Sequence, residues 1–186
     1  LFLYTIGSTI LYFEQAHIVG AAVTEREART AVFARMDFWV NAVTLFCQLF
    51  LTARVIRRLG VGIALSVVPV ITLVGCGVLA WRLQAGAGAA LGVLMAVQIL
   101  RRGGSYGLAK PARETLFTVV STEQKYKAKS FIDTFVYRAG DALGAAGFGV
   151  LTGAAVGLSL AGVAVLAVPL AGVWALVGIY LGVRQR

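Results

Sequence analysis

Long runs of apolar residues alternate with short charged connections along the whole chain. Six runs approach the roughly 20 residues that a helix needs to cross a bilayer. They lie at about 1–23, 38–53, 59–81, 87–109, 130–151 and 158–183. The second is short and opens on Arg35, Met36 and Asp37. Membrane strands would alternate in segments of about ten residues, which these runs do not do. Helices satisfy their own backbone groups in lipid. The pattern predicts an all-α membrane protein with one domain, 1–186, of six transmembrane helices.

The connections carry the charge. The sets after the second, fourth and sixth runs hold ten Lys and Arg, against four after the first and third. The positive-inside rule then puts both ends of the chain in the cytoplasm. The connection after the first run, TEREARTAVFARM, mixes Arg with Glu25 and Glu27 and reads as a short surface helix. Six helices with both ends inside make a natural half of a twelve-helix transporter of the major-facilitator type, each half a pair of inverted three-helix repeats. The expected partners are the lipid bilayer and an upstream six-helix half absent from this chain.

Composition agrees: 59% of residues are hydrophobic and 13% charged, with mean hydropathy +0.85. The net charge of +9 serves orientation in the membrane better than nucleic-acid binding. Cys47 and Cys76 sit inside apolar runs and read as small core residues. The first run has no basic segment before it in this sequence and is not expected to be a signal peptide. No P-loop, H-E-x-x-H, G-x-S-x-G or Cys/His cluster occurs. No enzyme, metal site or cofactor is expected.

Ionisable groups inside a membrane mark a pathway or a site by default. The fourth run contains Arg101, Arg102 and Tyr106. Arg101 lies about 14 residues in, roughly 21 Å along the helix axis and past the midplane. Adjacent residues differ by about 100°, so one Arg is expected to face a cavity while the other pairs or snorkels. Gly103 and Gly104 loosen the helix or permit close packing. In the fifth run Asp133, Tyr137 and Asp141 share a face, and Arg138 stands three residues from Asp141 as an ion-pair partner. That pair either locks the bundle or yields Arg138 to an anion. In the first run Thr5, Ser8, Thr9, Tyr12 and Gln15 form a polar stripe that lines a cavity or another helix. Glu14 and His17 lie on another flank, as a hydrogen-bonded pair or a proton site.

The connection after the fourth run opens on Lys110. Pro111 is expected to end or kink that helix. Arg113 and Glu114 follow, then an amphipathic turn of Leu116, Phe117, Val119 and Val120 at the membrane surface. Lys125, Lys127 and Lys129, spaced by two, read as a basic mouth.

The motifs RRGGSYGLAKPARETLF and EQKYKAKSFIDTFVYRAGD, from Arg101 through Asp141, resemble the ATP:ADP antiporter (nucleotide translocase) family of plastids and bacteria. Bacterial NTP/NDP exchange transporter-like members are the nearest match. The family's Pro, basic–acidic pair, Lys-rich run and Ile-Asp correspond here to Pro111, Arg113–Glu114, Lys127–Lys129 and Ile132–Asp133. The following VYRAGD departs from the plastid type, which leaves the substrate open. The resemblance implies the C-terminal half of a permease that exchanges nucleotides without hydrolysis, with Arg101, Arg102, Tyr106, Lys110, Arg113, Glu114, Lys127, Lys129, Asp133, Arg138 and Asp141 as candidate substrate contacts. The alternatives are a major-facilitator-type permease for another solute, proton-coupled through Glu14, His17 or Asp133, and a non-transporting anchor or sensor half. The expected location is the bacterial inner membrane.

The charge asymmetry predicts that a cysteine introduced beside Lys127 is labelled by a membrane-impermeant thiol reagent only from the cytoplasmic side. Labelling from outside overturns the orientation.

Overall fold

A computed structural model describes residues 1–117, 121–154 and 156–184, the last four as backbone alone. Val119 and Val120 of the expected amphipathic turn, and the side chains of Arg184 and Arg186, lie outside the described residues. The described structure is entirely helical, apart from turns and short connections, and its helices join into six rods.

The first rod is α1 (Phe2–Ala22). The second joins α2 (Arg26–Phe46), a π turn at Cys47–Leu51 and α3 (Thr52–Leu59). The third is α4 (Val61–Leu83). The fourth joins α5 (Ala87–Gly104), a π turn at Ser105–Ala109 and α6 (Lys110–Leu116). The fifth joins α7 (Thr122–Phe131), a π turn at Ile132–Val136 and α8 (Tyr137–Thr152). The sixth is α9 (Leu160–Arg184).

Among the described residues three helices are long and apolar enough to cross a membrane: Arg26–Leu59, Val61–Leu83 and Leu160–Tyr180. The first, fourth and fifth rods carry the polar residues singled out above.

The second rod corrects the expected boundaries. Its apolar part does not stand alone as a helix of 38–53, and TEREARTAVFARM is not a separate surface helix. Both belong to one rod of 34 residues. At 1.5 Å per residue that is about 51 Å, well over the roughly 30 Å hydrocarbon core. Nothing in that stretch breaks a helix: it holds no Gly or Pro, and Thr30 and Asn41 bond back to carbonyls four residues earlier.

Glycines set the close approaches. A Cβ on Gly103 would lie 2.6 Å from Val43 Cγ1, and one on Gly107 would lie 2.5 Å from Cys47 Cβ. A Cβ on Gly140 would meet Thr5 Cβ at 2.7 Å, and one on Gly144 would meet Thr9 Cβ at 2.9 Å. Each pair is spaced by four, the small-xxx-small arrangement that brings membrane helices into backbone contact. One pair joins the fourth rod to the second, and the other joins the fifth rod to the first. The most apolar rods, α4 and α9, pack along their length, with Gly172 against Leu73 and Gly178 against Ser66. The core gathers Leu11, Ile18, Val19, Cys76, Leu79, Ala90, Leu94 and Ala167 from α1, α4, α5 and α9.

Pro111 neither ends nor breaks the fourth rod. It has no N–H for the carbonyl four residues back, that of Gly107. The hydroxyl of Thr52 donates to that carbonyl at 2.5 Å, and Gln48 Nε2 donates to the Tyr106 carbonyl at 3.4 Å. A π turn on each rod lies at this contact, and such turns free backbone groups from the regular ladder. The second rod thus supplies the donors that the fourth lacks.

Thr52→Val is expected to lower stability by about 1–2 kcal/mol, the cost of an orphaned buried carbonyl. The loss should shrink in a Pro111→Ala background, where an N–H is restored. Detergent-solubilised thermal unfolding of the four proteins measures the coupling; a loss of equal size in both backgrounds would break the link.

Candidate functional site

Arg101 is buried on α5 with 3% of its surface exposed. A guanidinium in such a place needs acceptors. Gln98, one turn earlier, takes hydrogen bonds from Arg101 Nε at 3.2 Å and Nη2 at 2.9 Å. Gln98 Nε2 in turn donates to Gln15 Oε1 on α1 at 2.7 Å and to the Leu11 carbonyl at 3.3 Å. The Arg101 guanidinium also lies 6.0 Å from the centre of the Tyr4 ring, within cation–π reach. Ser105 Oγ donates to the Tyr4 hydroxyl at 3.3 Å. Two helices that share few ionisable residues are thereby joined through amides.

Above this network opens a cleft of about 490 Å³. Tyr4, Ser8, Tyr12 and Gln15 of α1 line one wall, Phe33, Met36 and Asp37 of α2 another, and Gln98, Arg101, Arg102 and Tyr106 the third. Both Arg side chains lie on the wall of this one cleft, and Arg102 is the one that pairs, as expected of one member of the couple. The cleft spans two helix gaps, so 100° of separation still leaves both on its wall. Arg102 is not a snorkelling anchor: its Nη1 donates to Asp37 Oδ1 at 2.8 Å.

Two further hollows share lining residues with it or with each other. One, of about 560 Å³, is lined by Asn41, Thr44, Gln48, Tyr106, Lys110, Pro111 and Glu114. The other, of about 440 Å³, is largely apolar but admits Lys110 and Arg113 beside Tyr4, Ser105, Tyr137 and Trp174. Lys110 Nζ stands 4.1 Å over the Tyr106 ring, and Arg113 Nη1 donates to the Tyr137 hydroxyl at 3.1 Å. Tyr106 belongs to the first two hollows and Lys110 to the last two. The five cations or aromatics 101, 102, 106, 110 and 113 therefore run down one rod, each lining at least one of the three hollows.

Several expected arrangements are absent. Arg138 and Asp141 do not pair: Asp141 Oδ1 accepts from Thr9 Oγ1 at 2.9 Å, while Arg138 is exposed and has no hydrogen-bond or ion-pair partner among the described residues. Gly140 and Gly144 press α8 onto α1, which brings Thr9 to Asp141. Asp133 lies within the π turn at Ile132–Val136 and is exposed, whereas Tyr137 takes the Arg113 hydrogen bond. Glu14 and His17 do not meet. His17 is exposed with Nδ1 2.9 Å from the Phe13 carbonyl, whereas Glu14 is buried. The polar stripe of α1 divides: Ser8, Tyr12 and Gln15 face the cleft, while Thr5 and Thr9 face α8 and Thr5 bonds to the Leu1 carbonyl.

The basic mouth is also rearranged. Residues 122–131 are helical, so a spacing of two throws Lys127 to the side opposite Lys125 and Lys129. Lys127 pairs with Glu123 at 2.6 Å. Lys129 reaches Glu114 at 2.9 Å, and that hydrogen bond holds the Glu114 carboxyl below its usual range. Lys127, Lys129, Asp133, Arg138 and Asp141 line none of the three hollows. Sequence reasoning missed Tyr4, Asp37, Gln98 and Trp174. A lone amide three residues before a membrane Arg was the available signal for Gln98; nothing local marked Tyr4 or Trp174.

Removal of the acceptor tests the network. Gln98→Leu leaves the Arg101 guanidinium buried without it and is expected to cost about 3 kcal/mol in thermal unfolding; Gln98→Glu, which keeps an acceptor, should cost less. Equal tolerance of both would show that Arg101 does not depend on Gln98.

No family model matches this chain, and no solved structure does. Among curated proteins it is similar to ADP,ATP carrier protein 1 of Chlamydia muridarum (strain MoPn / Nigg), 33% identical over 126 residues. The alignment takes in 60% of this chain but only 24% of that carrier's length. The apolar helices and this likeness together describe a membrane-embedded chain similar to a carrier.

Proposed function

We propose that this chain is one six-helix half of a major-facilitator-type transporter that exchanges nucleotides, or related organic phosphates, by alternating access and without hydrolysis. The observation that carries the reading is the cleft in which Arg101, Arg102 and Tyr106 of one rod face the polar wall of α1. Phosphate oxygens take bidentate hydrogen bonds from guanidinium groups, and Tyr12 and Tyr106 offer aromatic faces at the same opening. The likeness to a carrier named for ADP and ATP favours the same class of substrate.

The packing of the rods supports the half-transporter reading. Close pairs are first with fifth, second with fourth, first with fourth, third with sixth, third with fourth, first with sixth, second with third, and fifth with sixth. Exchanging first for fourth, second for fifth and third for sixth returns the same set. That is the relation expected of two inverted three-helix repeats. In this reading all six rods span a bacterial inner membrane, both ends are cytoplasmic, and an upstream six-helix half closes the cleft. Lys110 and Arg113 then stand between the cleft and the cytoplasmic mouth, where Lys125 and Lys129 draw in anions.

Full-length protein in vesicles loaded with ADP is expected to take up ATP only when internal ADP is present. Arg102→Ala should cut that uptake by about tenfold or more, since one hydrogen bond to a charged group contributes about 1.5–3 kcal/mol. Lys127→Ala, at an exposed and already paired site, should have a small effect that vanishes with salt. Uptake that ignores internal ADP refutes exchange; equal effects of the two substitutions refute the cleft as the binding site.

A further inference from the structure

Glu14 is fully buried on α1, and neither of its carboxyl oxygens has a hydrogen-bond partner. Its neighbours one turn away, Leu11 and Ile18, pack with Cys76, Leu79 and Leu94 in the apolar core. An ionised carboxylate without a protein donor is costly in such surroundings, and the neutral acid is the form that fits them. The next residue, Gln15, forms part of the cleft wall and holds Gln98, the acceptor of Arg101. Glu14 and Gln15 differ by about 100° around α1, so a rotation of that helix exchanges one for the other at the cleft.

We propose that Glu14 is a proton-binding site coupled to the anion cleft through Arg101. This rests on the transport reading. With a phosphate on Arg101, Glu14 stays buried as the neutral acid. When the phosphate leaves, α1 turns Glu14 toward the cleft and its O–H bond breaks. The proton passes to cleft water, the electron pair stays on the carboxylate, and the carboxylate pairs with Arg101. One proton thus travels in the same direction as the anion, and Arg101 is never left without a counter-charge or acceptor.

Other groups around Glu14 do not take this role. Cys76 is the titratable group that α4 brings to it. Asp141 of α8 is held by Thr9, and Asp37 of α2 by Arg102. The buried residues of α9, Val163, Ala164, Ala167 and Ala171, carry no titratable group. His17 on α1 itself is exposed and bonded to the Phe13 carbonyl.

Infrared difference spectroscopy of purified full-length protein, titrated through neutral pH, reads the carbonyl stretch of a protonated carboxyl. The expected result is a band that persists at neutral pH and is lost in Glu14→Gln. In ADP-loaded vesicles, acidifying the outside is expected to speed ATP uptake several-fold in the wild type and to leave Glu14→Gln unresponsive. A missing band, a band unchanged by Glu14→Gln, or an equal pH response in both proteins overturns the proposal. Wild-type exchange that is blind to the pH gradient overturns the coupling alone, whereas no ATP or ADP flux in the wild type overturns the transport reading and the coupling with it.

Discussion

A guanidinium enclosed among apolar helices has to be given acceptors by its neighbours, and the arrangement around Arg101 follows from that need. Gln98 lies one helical turn away and accepts two of its hydrogen bonds. Gln98 is itself oriented from across the helix gap by Gln15 and the Leu11 carbonyl. The chain of contacts fixes the register of α1 against α5. It also leaves Arg101 without an opposing carboxylate, since its acceptor is a neutral amide. A buried cation satisfied in this way keeps its positive charge uncancelled and retains attraction for an anion that enters the cleft. A carboxylate in place of Gln98 would cancel the Arg101 charge and attract the anion less, and it would lose the amide donors that reach Gln15 and the Leu11 carbonyl across the helix gap.

Close packing of the remaining rods depends on residues that lack side chains. Gly103 and Gly107 admit α2 and its π turn, and Gly140 and Gly144 admit α1. These contacts bring polar backbone into reach of side chains on the facing rod. Thr52 meets the carbonyl released by Pro111, and Thr9 meets Asp141. In lipid no water is at hand to satisfy such groups, so a kinked or widened helix survives only where a neighbour supplies the donor. The π turns at Cys47–Leu51 and Ser105–Ala109 face one another for this reason.

Much of this was legible in the chain. Six apolar runs became six helical rods in order, and the polar residues of α1 and α5 met at one cleft. Failures came where one-dimensional spacing stood in for three-dimensional packing. Lys125, Lys127 and Lys129 looked like a cluster because the segment was read as an extended connection; as a helix it parts them. Arg138 and Asp141 were near enough to pair, but the glycines between helices gave Asp141 a nearer donor. Pro111 was read for what it removes from its own helix, and a single run cannot reveal that Thr52, more than fifty positions earlier, compensates for it.

Two kinds of exposed surface remain, and they call for different surroundings. Val70, Val74 and Val78 on α4, Val165, Val173 and Leu176 on α9, and Leu45, Phe46 and Leu49 on the second rod are large, apolar and exposed. Lipid covers such side chains at no cost. Between α1, α2 and α5 the surface instead offers Tyr12, Asp37, Asn41, Tyr106 and the Arg102 ion pair. Lipid cannot satisfy these groups; water or another protein surface can. Permanent contact with a second protein surface would bury the Arg102–Asp37 pair, where the desolvation of both charges offsets their attraction. Permanent exposure to water would leave a wet slot beside an intact lipid seal. A surface covered on one side and wetted on the other keeps the pair partly solvated, so its two charges hold their attraction without full desolvation.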